Sequence, residues 1–502
     1  MNQNKTFDLI RKIEKECPVN SWVVDDMRIW PIVRVLIFGA AERENAMSTL
    51  KKSYLSHTKK IIKDLLRVID AIINDREHNS YRPHQADILF YSSTVNRIKI
   101  GNHYYERFFD PIIEELSNNN FTSFSIEESN YREYLYPRNN KSFLIQPLLS
   151  FGSLYNFITY RRSRLTYYLP EYERMLTIVK NDLNDASFLE IKSILKLTSL
   201  ILTYKKIFLA ILRRIKPKLV MMTNYYSPNR FALILACREL LIPTADIQHG
   251  TQDEMHPAYA HWDTIPPEGY ELLPDYFLLW GDGSEQKTYS WIHKRKTPHK
   301  IITIGNLLLN KFKHREFSEL QKDASTIESI IRSKKAIINI LITAQNIPLP
   351  DWLFDSIMGS DQSWHWWLRL HPGHKYLLTS IQKQIAQRDI HERITIPEAT
   401  TLPLYLLLPY MSLHVTQTSS VIIEAHQFNI NTILIDHNGA KKYPGYITES
   451  RAALATDAKS FREAALIFTQ SRRENKERQF VSTNQPGNVA QLLTQILKNQ
   501  IK

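Results

Sequence analysis

The 502-residue sequence is 43% apolar and 23% charged, a composition that excludes a disordered chain and predicts a globular protein with two or more domains. Lysine and arginine number 64 against 51 acidic residues, so the net charge of +13 and the pI of about 9.3 predict anionic partners such as nucleic acid, nucleotides or anionic lipid. The two cysteines, Cys17 and Cys237, lie far apart, which excludes a disulfide framework and indicates a reducing cytoplasm.

Residues 1–82 have a helical pattern and form the first predicted segment. The N-terminal letters MNQNKTFDLIRKIEKECPVN contain no uninterrupted apolar stretch, and nowhere does the chain approach the roughly 18 apolar residues that span a bilayer. We therefore predict a cytoplasmic protein with, at most, peripheral contact to an anionic inner membrane. The basic run from Lys51 to Arg67 fits either an amphipathic helix on anionic lipid or a solvated helix packed on its own protein.

A first α/β domain is predicted over residues 83–312, and we expect it to bind the acceptor. Near Ala86 the letters ADILFYSS form a short apolar run that ends in small polar residues, which is typical of a buried parallel strand. Residues 120–215 are rich in Tyr, Arg and Asn and contain helical stretches. We place a helical insertion there, without an assigned role.

Two stretches of the chain share one plan, which predicts two Rossmann-like domains. Residues 218–250 and 413–439 each show a strand, a polar loop, a helix, a turn and a second strand. DYFLLWGDGS and KIITIGNLL complete the first sheet, a linker with a helix follows, and AIINILITAQ opens a second domain over residues 335–502. The predicted fold class is therefore α/β, with two Rossmann-like domains facing across a cleft and a helical N-terminal segment.

Polar residues cluster where the predicted strands end, and ligands of such sheets bind outside the carboxyl ends of the strands. The residues concerned are Gln248, His249 and Gly250 in the first domain, and Arg369, His371, Gly373, Thr418, Ser419, Ser420 and Glu424 in the second. Free amides at the helix start after the serine pair would form an anion site. His-Pro-Gly is also compatible with an ordinary turn, and Ser-Ser with an ordinary helix cap.

The absence of two familiar motifs limits how a nucleotide can be bound. The sequence has neither a glycine-rich P-loop nor a G-x-G-x-x-G motif, which disfavours Walker-type NTPases and dinucleotide oxidoreductases. A phosphate or pyrophosphate held by His371 and the serine pair, with Glu424 on ribose hydroxyls, agrees better with the residues present.

Five motifs carry a resemblance to a known family. IQHG followed by HPAY, LRLHPG, TSSVIIEA and the early MRIWPIVR resemble the GT-B glycosyltransferases of bacterial capsule and surface-polysaccharide synthesis. The pattern is also similar to that of CDP-glycerol glycerophosphotransferases and of transferases that use CMP-Kdo or CMP-sialic acid. The matching motifs lie within Met27–Arg34 and Lys218–Tyr446.

The resemblance implies roles for individual residues. His371, Ser419 and Ser420 would bind the donor phosphate and Glu424 the ribose, with Arg369, Gly373 and Thr418 beside them. His249 would lie on the acceptor side, at the same strand end as Gln248 and Gly250. His256 and Tyr259 could also bind the acceptor, although a structured loop is compatible with them as well. A clear acidic-acidic-glycine motif is lacking and Asp282 comes too late in its domain, so the candidate catalytic bases are His249, Asp253 and Glu254.

The predicted activity is transfer of a sugar from a nucleotide-sugar to a glycan or lipid-linked acceptor, by direct displacement that inverts the sugar carbon. No His, Asp or Glu set has metal-ligand spacing, so we predict no metal and no cofactor beyond the nucleotide-sugar. The alternatives are a CDP-glycerol-type polyol-phosphate transferase, a non-catalytic scaffold of a polysaccharide-synthesis complex, and a sugar-nucleotide epimerase. Nucleic-acid binding is disfavoured because positive charge concentrates only in residues 50–75 and 160–217.

Overall fold

A computed structural model describes residues 3–47, 82–128, 135, 137–160, 165–250, 252, 254, 256–281, 288–295, 297–345, 348–371, 378–475 and 494. These residues form two compact units. The first contains the described residues of Met1–Ile98, His103–Leu307 and Asn484–Lys502, and the second those of Lys99–Asn102 and Leu308–Thr483. Among the described residues, no helix combines the length and the apolar character that crossing a bilayer requires.

The first unit is built around a parallel sheet with helices packed on it. Its helices are α1 (Gln3–Glu16), α2 (Trp30–Met47), α3 (Asp110–Asn118), α4 (Gln146–Thr159), α5 (Tyr172–Asp182), α6 (Ile191–Ile215), α7 (Pro228–Glu239) and α8 (Ser290–Arg295). The strands before residue 307 are β1 (Val23–Val24), β2 (Met27–Arg28), β3 (Ile88–Ser93), β4 (Arg97–Ile100), β5 (His103–Glu106), β6 (Ser123–Glu128), β7 (Phe143–Leu144), β8 (Tyr167–Tyr168), β9 (Leu219–Met222), β10 (Thr244–Ile247), β11 (Tyr276–Leu279) and β12 (Lys300–Thr303).

Seven of these strands form one sheet in the order β12-β11-β10-β9-β3-β6-β7, and every pairing is parallel. Strands β9 and β11 are short apolar runs, and all four residues of β9 are buried because helices cover both faces of such a sheet. The extended Ser227 precedes α7 and Pro228 opens it, since proline fits the first position of a helix.

The N-terminal segment contains the predicted helices but also a small sheet that the helical pattern did not predict. Strand β1 pairs antiparallel with both β2 and β8. The hairpin turn is made by Asp25 and Asp26, which both have positive φ, a conformation that aspartate tolerates better than most residues. Apolar residues of α1 and α2 share one core with the seven-stranded sheet. The basic run Lys51–Arg67 lies outside the described residues.

The second unit has the same plan. Its helices are α9 (Leu307–Lys313), α10 (Gln321–Ser333), α11 (Asp351–Met358), α12 (Leu378–Gln387), α13 (Pro397–Thr401), α14 (Leu404–Leu407), α15 (Val421–Gln427), α16 (His437–Lys442), α17 (Pro444–Thr448) and α18 (Ala458–Asn475). Its strands are β13 (Ile338–Ala344), β14 (Trp364–Leu370), β15 (Ile394–Thr395), β16 (Leu413–Thr416), β17 (Thr432–Leu434) and β18 (Ala452–Leu454). They form a parallel sheet in the order β15-β14-β13-β16-β17-β18.

In both sheets, the chain adds strands first on one side of the initial strand and then on the other side, so the strand order reverses at one point. In the first unit this point lies between β3 and β9, and in the second it lies between β13 and β16. A crevice opens outside the carboxyl ends of the strands at such a point, because the connections on its two sides go to opposite faces of the sheet. The predicted strand-helix-strand units after Leu219 and Leu413 are both confirmed, and each supplies the first strand beyond a crevice.

Candidate functional site

Arg369 carries a partly buried positive charge at the carboxyl edge of the second sheet. It is level with Thr343 of β13, which in turn is level with Thr416 of β16. Its Nη1 donates to the carbonyl oxygens of Ala399 and Leu402, both at 2.7 Å. Burial lowers the pKa of Arg369 to about 10, and no carboxylate of the described residues forms an ion pair with it. The guanidinium therefore remains charged at neutral pH without an anionic partner in that part of the chain.

His371 follows the end of β14 and is exposed, so its imidazole is accessible from solvent. Its position agrees with the predicted placement at a strand end. The next residues, including Gly373 and the histidine at 374, lie outside the described residues.

Thr418, Ser419 and Ser420 form the turn between β16 and α15. Ser419 is buried, and its Oγ accepts from the amide of Val421 at 3.3 Å. The amide of Ile422 donates to the carbonyl oxygen of Ser419 at 3.4 Å. The expectation of free amides at this helix start is therefore wrong for Val421 and Ile422, because the tight turn already provides their acceptors.

The amide of Ile423 is bound in the same way, since it donates to the carbonyl oxygen of Ser420 at 2.9 Å. The helix that follows has only seven residues, so its macrodipole is small and attracts an anion only weakly. Ser420 is half-buried and its side chain does not cap the helix. Any anion at this turn would therefore be bound mainly by the hydroxyl groups of Ser419 and Ser420.

Helix α16 fixes the position of this turn. A Cβ on Gly439 would lie 2.0 Å from the carbonyl oxygen of Gln417, so only glycine permits the observed approach of the two backbones. Tyr443 donates its hydroxyl proton to the carbonyl oxygen of Thr418 at 3.2 Å. Glu424 is buried in the first turn of α15, behind the serine pair.

The spacing of the strands limits what the second sheet can bind. Strands β14 and β16 lie on opposite sides of β13. Two interstrand spacings separate the strand that carries Arg369 from the strand that leads to Ser419, a distance of about 10 Å. A nucleoside mono- or diphosphate is long enough to contact both strand ends, whereas one phosphate group would need side chains to reach towards it.

In the first unit, Gln248 ties the loop after β10 to its neighbouring strand. Its Oε1 accepts from the amide of Trp280 at 2.7 Å, and its Nε2 donates to the carbonyl oxygen of Gly250 at 3.2 Å. The Gln248 side chain is buried. In this structure it holds the loop in position, and its contact with an acceptor stays a prediction.

His249 lies between two aromatic rings at this strand end. Its ring centroid is 6.4 Å from that of Phe108 and equally far from that of Tyr259. Burial, reinforced by Arg107 and Arg230, lowers the pKa of His249 to about 4, against the opposing effect of the Ile247 carbonyl. The imidazole is therefore neutral near pH 7 and can accept a proton.

A buried carboxyl that the motifs did not reveal lies on the same strand. Asp246 accepts from the hydroxyl of Tyr259 at 3.0 Å and from the amide of Tyr225 at 3.1 Å. Burial raises the pKa of Asp246 to about 7. Tyr259 is itself fully buried, and the ring of the predicted acceptor residue His256 packs against it at 4.9 Å. In the sequence, the only sign of the Asp246 carboxyl was an acidic residue within an otherwise apolar strand.

Glu254 lines a separate feature of the first unit, a cavity of about 680 Å³. Other residues of its lining are Arg11, His261, Asp263, Lys294 and Arg295. Asp253 lies outside the described residues. Of the three predicted bases, the structure thus describes His249 at a strand end and Glu254 beside a charged cavity.

A hydrogen-bonded cluster at the crevice of the first sheet was missed by sequence reasoning. Glu128 Oε1 accepts from the hydroxyl of Tyr91 at 2.5 Å and from Arg230 Nη1 at 2.6 Å. Asn229 donates to the Tyr91 hydroxyl at 2.9 Å and also to Glu128. Asn229 and Arg230 lie in the first turn of α7, just after the strand end of the first repeat, and their polar side chains at that place could have revealed them.

Arg34 connects two of the motifs that carry the resemblance. It is fully buried, and its guanidinium donates to Glu14 Oε1 and to the carbonyl oxygens of Pro257 and His261, at 2.5, 2.8 and 2.8 Å. It also stacks 4.4 Å above the ring of Trp262. The last residue of MRIWPIVR thus fixes the loop that begins with HPAY, on which the predicted acceptor residues lie.

The described residues contain no group of three or more His, Cys, Asp or Glu side chains arranged to hold a metal ion. No protein-family model and no curated protein matches the sequence.

Solved structures do resemble the fold. The UDP-GlcNAc 2-epimerase of Neisseria meningitidis, solved with UDP-GlcNAc, is 13% identical with a TM-score of 0.50, over 82% of this chain and 99% of that chain. The epimerase of Methanocaldococcus jannaschii is 14% identical with a TM-score of 0.49, over 82% and 99%. The wall teichoic acid polymerase TagF is 10% identical with a TM-score of 0.44, over 89% and 100%.

At 13% identity, the likeness to the Neisseria enzyme is one of fold. The chain has two parallel α/β units of the GT-B type and a helical N-terminal segment, as the sequence predicted.

Proposed function

We propose that this protein is a glycosyltransferase of bacterial surface-polysaccharide synthesis, acting in capsule or lipopolysaccharide formation. It would transfer a sugar from a CMP-linked or another nucleotide-linked donor to a glycan or lipid-linked acceptor. The observation that carries the proposal is Arg369, a partly buried cation beside the crevice of the second sheet, bound by two carbonyl oxygens. An anionic ligand at this edge would supply the missing negative charge, and a nucleotide phosphate fits that requirement.

The donor would occupy the carboxyl edge of the second sheet. His371 and the hydroxyls of Ser419 and Ser420 would donate hydrogen bonds to its phosphate, and Glu424 would accept from the ribose. Each charge-assisted hydrogen bond of this kind contributes roughly 1.5 to 3 kcal/mol. Gly439 supports this arrangement because it lets α16 hold the serine turn in place.

The acceptor would bind at the carboxyl edge of the first sheet. There, the neutral His249 would take the proton of the acceptor hydroxyl as its oxygen attacks the anomeric carbon. The bond from that carbon to the phosphate oxygen breaks, and its electron pair leaves with the nucleotide. Displacement from the opposite face inverts the sugar carbon. His371 would interact with the charge that grows on the departing phosphate.

Metal-independent transfer is part of the proposal. The positive charge of Arg369 and a hydrogen bond from the imidazole of His371 would stabilise the leaving phosphate in place of a divalent cation. We expect EDTA to leave both nucleotide affinity and the transfer rate unchanged. Loss of either, with recovery on addition of Mg²⁺ or Mn²⁺, would contradict this part of the proposal.

A thermal-shift screen tests the proposal directly. CMP, CDP, UDP, GDP and ADP are compared with the matching phosphate-free nucleosides, since the proposed site binds chiefly phosphate. A ligand at 100 times its dissociation constant should stabilise the folded protein by about 2.7 kcal/mol. Stabilisation by one base series of nucleotides, and not by its nucleoside, would name the donor class.

Product analysis then separates the activities. Transfer of a labelled sugar to acceptor supports the glycosyltransferase, and transfer of glycerol phosphate from CDP-glycerol supports the polyol-phosphate alternative. Isomerised sugar nucleotide formed without acceptor would indicate an epimerase. A protein that responds to none of the nucleotides would be a non-catalytic scaffold, and the proposal would fail.

A further inference from the structure

A single turn fixes Arg107 and Phe108 at the carboxyl edge of the first sheet. The turn lies in the connection that leads from the carboxyl end of β3 to α3, directly after β5. Strand β3 borders the crevice of this sheet. Phe108 is buried, and its ring meets that of His249 edge-on, with 6.4 Å between the two ring centroids. The connection from β3 thus reaches the histidine that follows β10.

Two buried carboxyl groups hold the backbone of this turn. Glu106 Oε2 accepts from the amides of Phe108 and Phe109, at 2.9 and 2.5 Å. Asp110 Oδ2 accepts from the amide of Glu106 at 2.8 Å. Both carboxyl groups are almost fully buried, so water does not compete for these bonds. The backbone that presents Arg107 therefore needs no rearrangement when the side chain binds a ligand.

The guanidinium of Arg107 is an accessible cation on this turn. The side chain is exposed, and its Cζ lies 4.6 Å from the centroid of the Phe108 ring. Since the same ring contacts His249, the guanidinium lies no further from the imidazole centroid than these two centroid distances added together. Within the described part of the chain, no carboxylate forms an ion pair with Arg107.

A second arginine near His249 is already neutralised. Arg230 is buried, and its Nη1 lies 2.6 Å from Glu128 Oε1. Burial lowers the pKa of His249 to about 4, and Arg107 and Arg230 both add to this lowering, so both positive charges act on the imidazole. Of the two arginines, Arg107 is the one without a carboxylate partner among the described residues. An anion bound at this edge would pair with Arg107 and offset its effect on His249.

We propose that Arg107 is a specificity-determining residue, which binds a carboxylate or phosphate group carried by the acceptor. The hydroxyl that reacts would lie at His249, and the anionic group would lie against the Arg107 guanidinium. The planar guanidinium suits either anion, because it can donate two parallel hydrogen bonds to a pair of oxygens. The acceptor would therefore be an acidic sugar or a phosphate-bearing polyol rather than a neutral glycan. The inference deepens the proposed function and rests on it for the role of His249.

Ligand-observed NMR titration of the full chain, without a sugar donor, tests the proposal. Glucuronate is compared with its neutral isostere glucuronamide, and glycerol 3-phosphate is compared with glycerol. We expect at least one charged probe to bind about tenfold or more tightly than its neutral partner, since charge-assisted hydrogen bonds are the stronger ones. Preferential binding of glucuronate would indicate an acidic sugar, and that of glycerol 3-phosphate would indicate a phosphate-bearing acceptor.

Three variants separate Arg107 from general effects of charge. Arg107→Ala should weaken binding of the charged probe about 10- to 100-fold and leave binding of its neutral partner unchanged. Arg107→Lys should restore part of the affinity, because it keeps the charge without the two parallel donors. Arg82→Ala removes an exposed arginine before the amino end of β3, on the opposite edge of the same sheet, and should leave binding unchanged. Both arginines are exposed, so all three variants should unfold at the temperature of the parent.

Three results would overturn the proposal. They are equal affinity of the parent for charged and neutral probes, undiminished binding of the charged probes by Arg107→Ala, and equal losses of affinity in Arg107→Ala and Arg82→Ala. The second result would place the anion at another site, and the third would make the effect one of net charge. Because the titration contains no nucleotide-sugar, its failure is distinct from failure of the transferase assay.

Discussion

Arg369 holds a partly buried positive charge, and its Nη1 donates to two carbonyl oxygens. A partly desolvated charge without a counter-charge lowers stability, and such charges occur more often at functional sites than elsewhere. The same strand delivers His371 to solvent one residue beyond its end. The pair thus combines a fixed charge with an accessible hydrogen-bond donor at one edge of the sheet.

His371→Ala tests the role of the exposed imidazole in transfer. If His371 stabilises charge that develops on the departing phosphate, its loss should lower kcat roughly 10²- to 10³-fold while the nucleotide dissociation constant changes little. Steady-state transfer assays and nucleotide titrations measure the two quantities. His391→Ala is the matched control, because this exposed histidine lies at the amino end of β15 on the opposite edge of the same sheet. Equal activity of the two variants would remove His371 from the site.

The pH dependence of transfer distinguishes the candidate bases. A base must be deprotonated to act, and the pKa of His249 is lowered to about 4 by burial. With His249 as the base, kcat/KM should stay level from pH 8 to 5 and fall as the pH approaches 4. A fall already centred near pH 7 would favour a carboxyl such as Asp246, whose pKa is about 7.

Asp246 should also make the stability of the protein depend on pH. Burial raises its pKa from 3.8 to about 7, so the folded state binds this proton more tightly than the unfolded state. Stability should therefore decrease as the pH rises from about 4 to 7, by up to about 4 kcal/mol at roughly 1.4 kcal/mol per pKa unit. Asp246→Asn removes this term, so denaturation should show the variant gaining stability over the parent between pH 5 and 8. A constant difference across that range would contradict the assignment.

Asp87 provides a comparison of opposite sign. Its bonds with Lys218 and Thr122 outweigh its burial and lower its pKa to about 2. The stability that it contributes is present above pH 4 and disappears as the pH falls through 2. Asp87→Asn should therefore be less stable than the parent at pH 7. Near pH 2, under conditions in which both proteins are folded, their free energies of unfolding should be equal.

Among the elements, the strand-helix-strand repeats were predictable because their apolar runs and polar strand ends recur in the same order. The β1–β2 hairpin was not, because two-residue strands have no periodicity that distinguishes them from the helices around them. The amide bonding of the Ser419 turn and the cluster around Glu128 depend on contacts between distant residues, which a single sequence does not encode locally. Of the site, the sequence thus revealed the residues at strand ends but not Asp246, Asn229 or Arg230.

Helix α16 offers an element-scale test at Gly439. An added Cβ would lie 2.0 Å from a backbone oxygen of the serine turn, so Gly439→Ala must displace either the helix or the turn. Overpacking of this kind costs typically 1 to 3 kcal/mol, and nucleotide affinity should fall as well. Gly445→Ala, in α17, has open space around its new Cβ and should be neutral or slightly stabilising. Chemical denaturation and nucleotide titration of the two variants measure the contrast.

On the scale of the whole molecule, the two compact units have separate apolar cores. The core of the first unit includes α1 and α2, which the buried pair of Arg34 and Glu14 connects to the loop 257–262. Burial raises the pKa of Glu14, against the opposing effect of Arg34, so removal of the arginine would leave a poorly solvated carboxyl. Perturbations of the two units should therefore act on different parts of the unfolding process.

Differential scanning calorimetry should resolve two transitions, one for each unit, because the two units have separate apolar cores. Arg34→Met breaks a buried ion pair and should lower only the transition of the first unit, by an amount that corresponds to about 3 to 5 kcal/mol. The nucleotide that responds in the thermal-shift screen should raise only the transition of the second unit, since its proposed phosphate ligands all lie there. The Gly439→Ala variant should lose that ligand-induced shift, whereas Arg34→Met should retain it in full. A nucleotide that raised the transition sensitive to Arg34→Met would place the donor site in the first unit and overturn the assignment of Arg369 and His371.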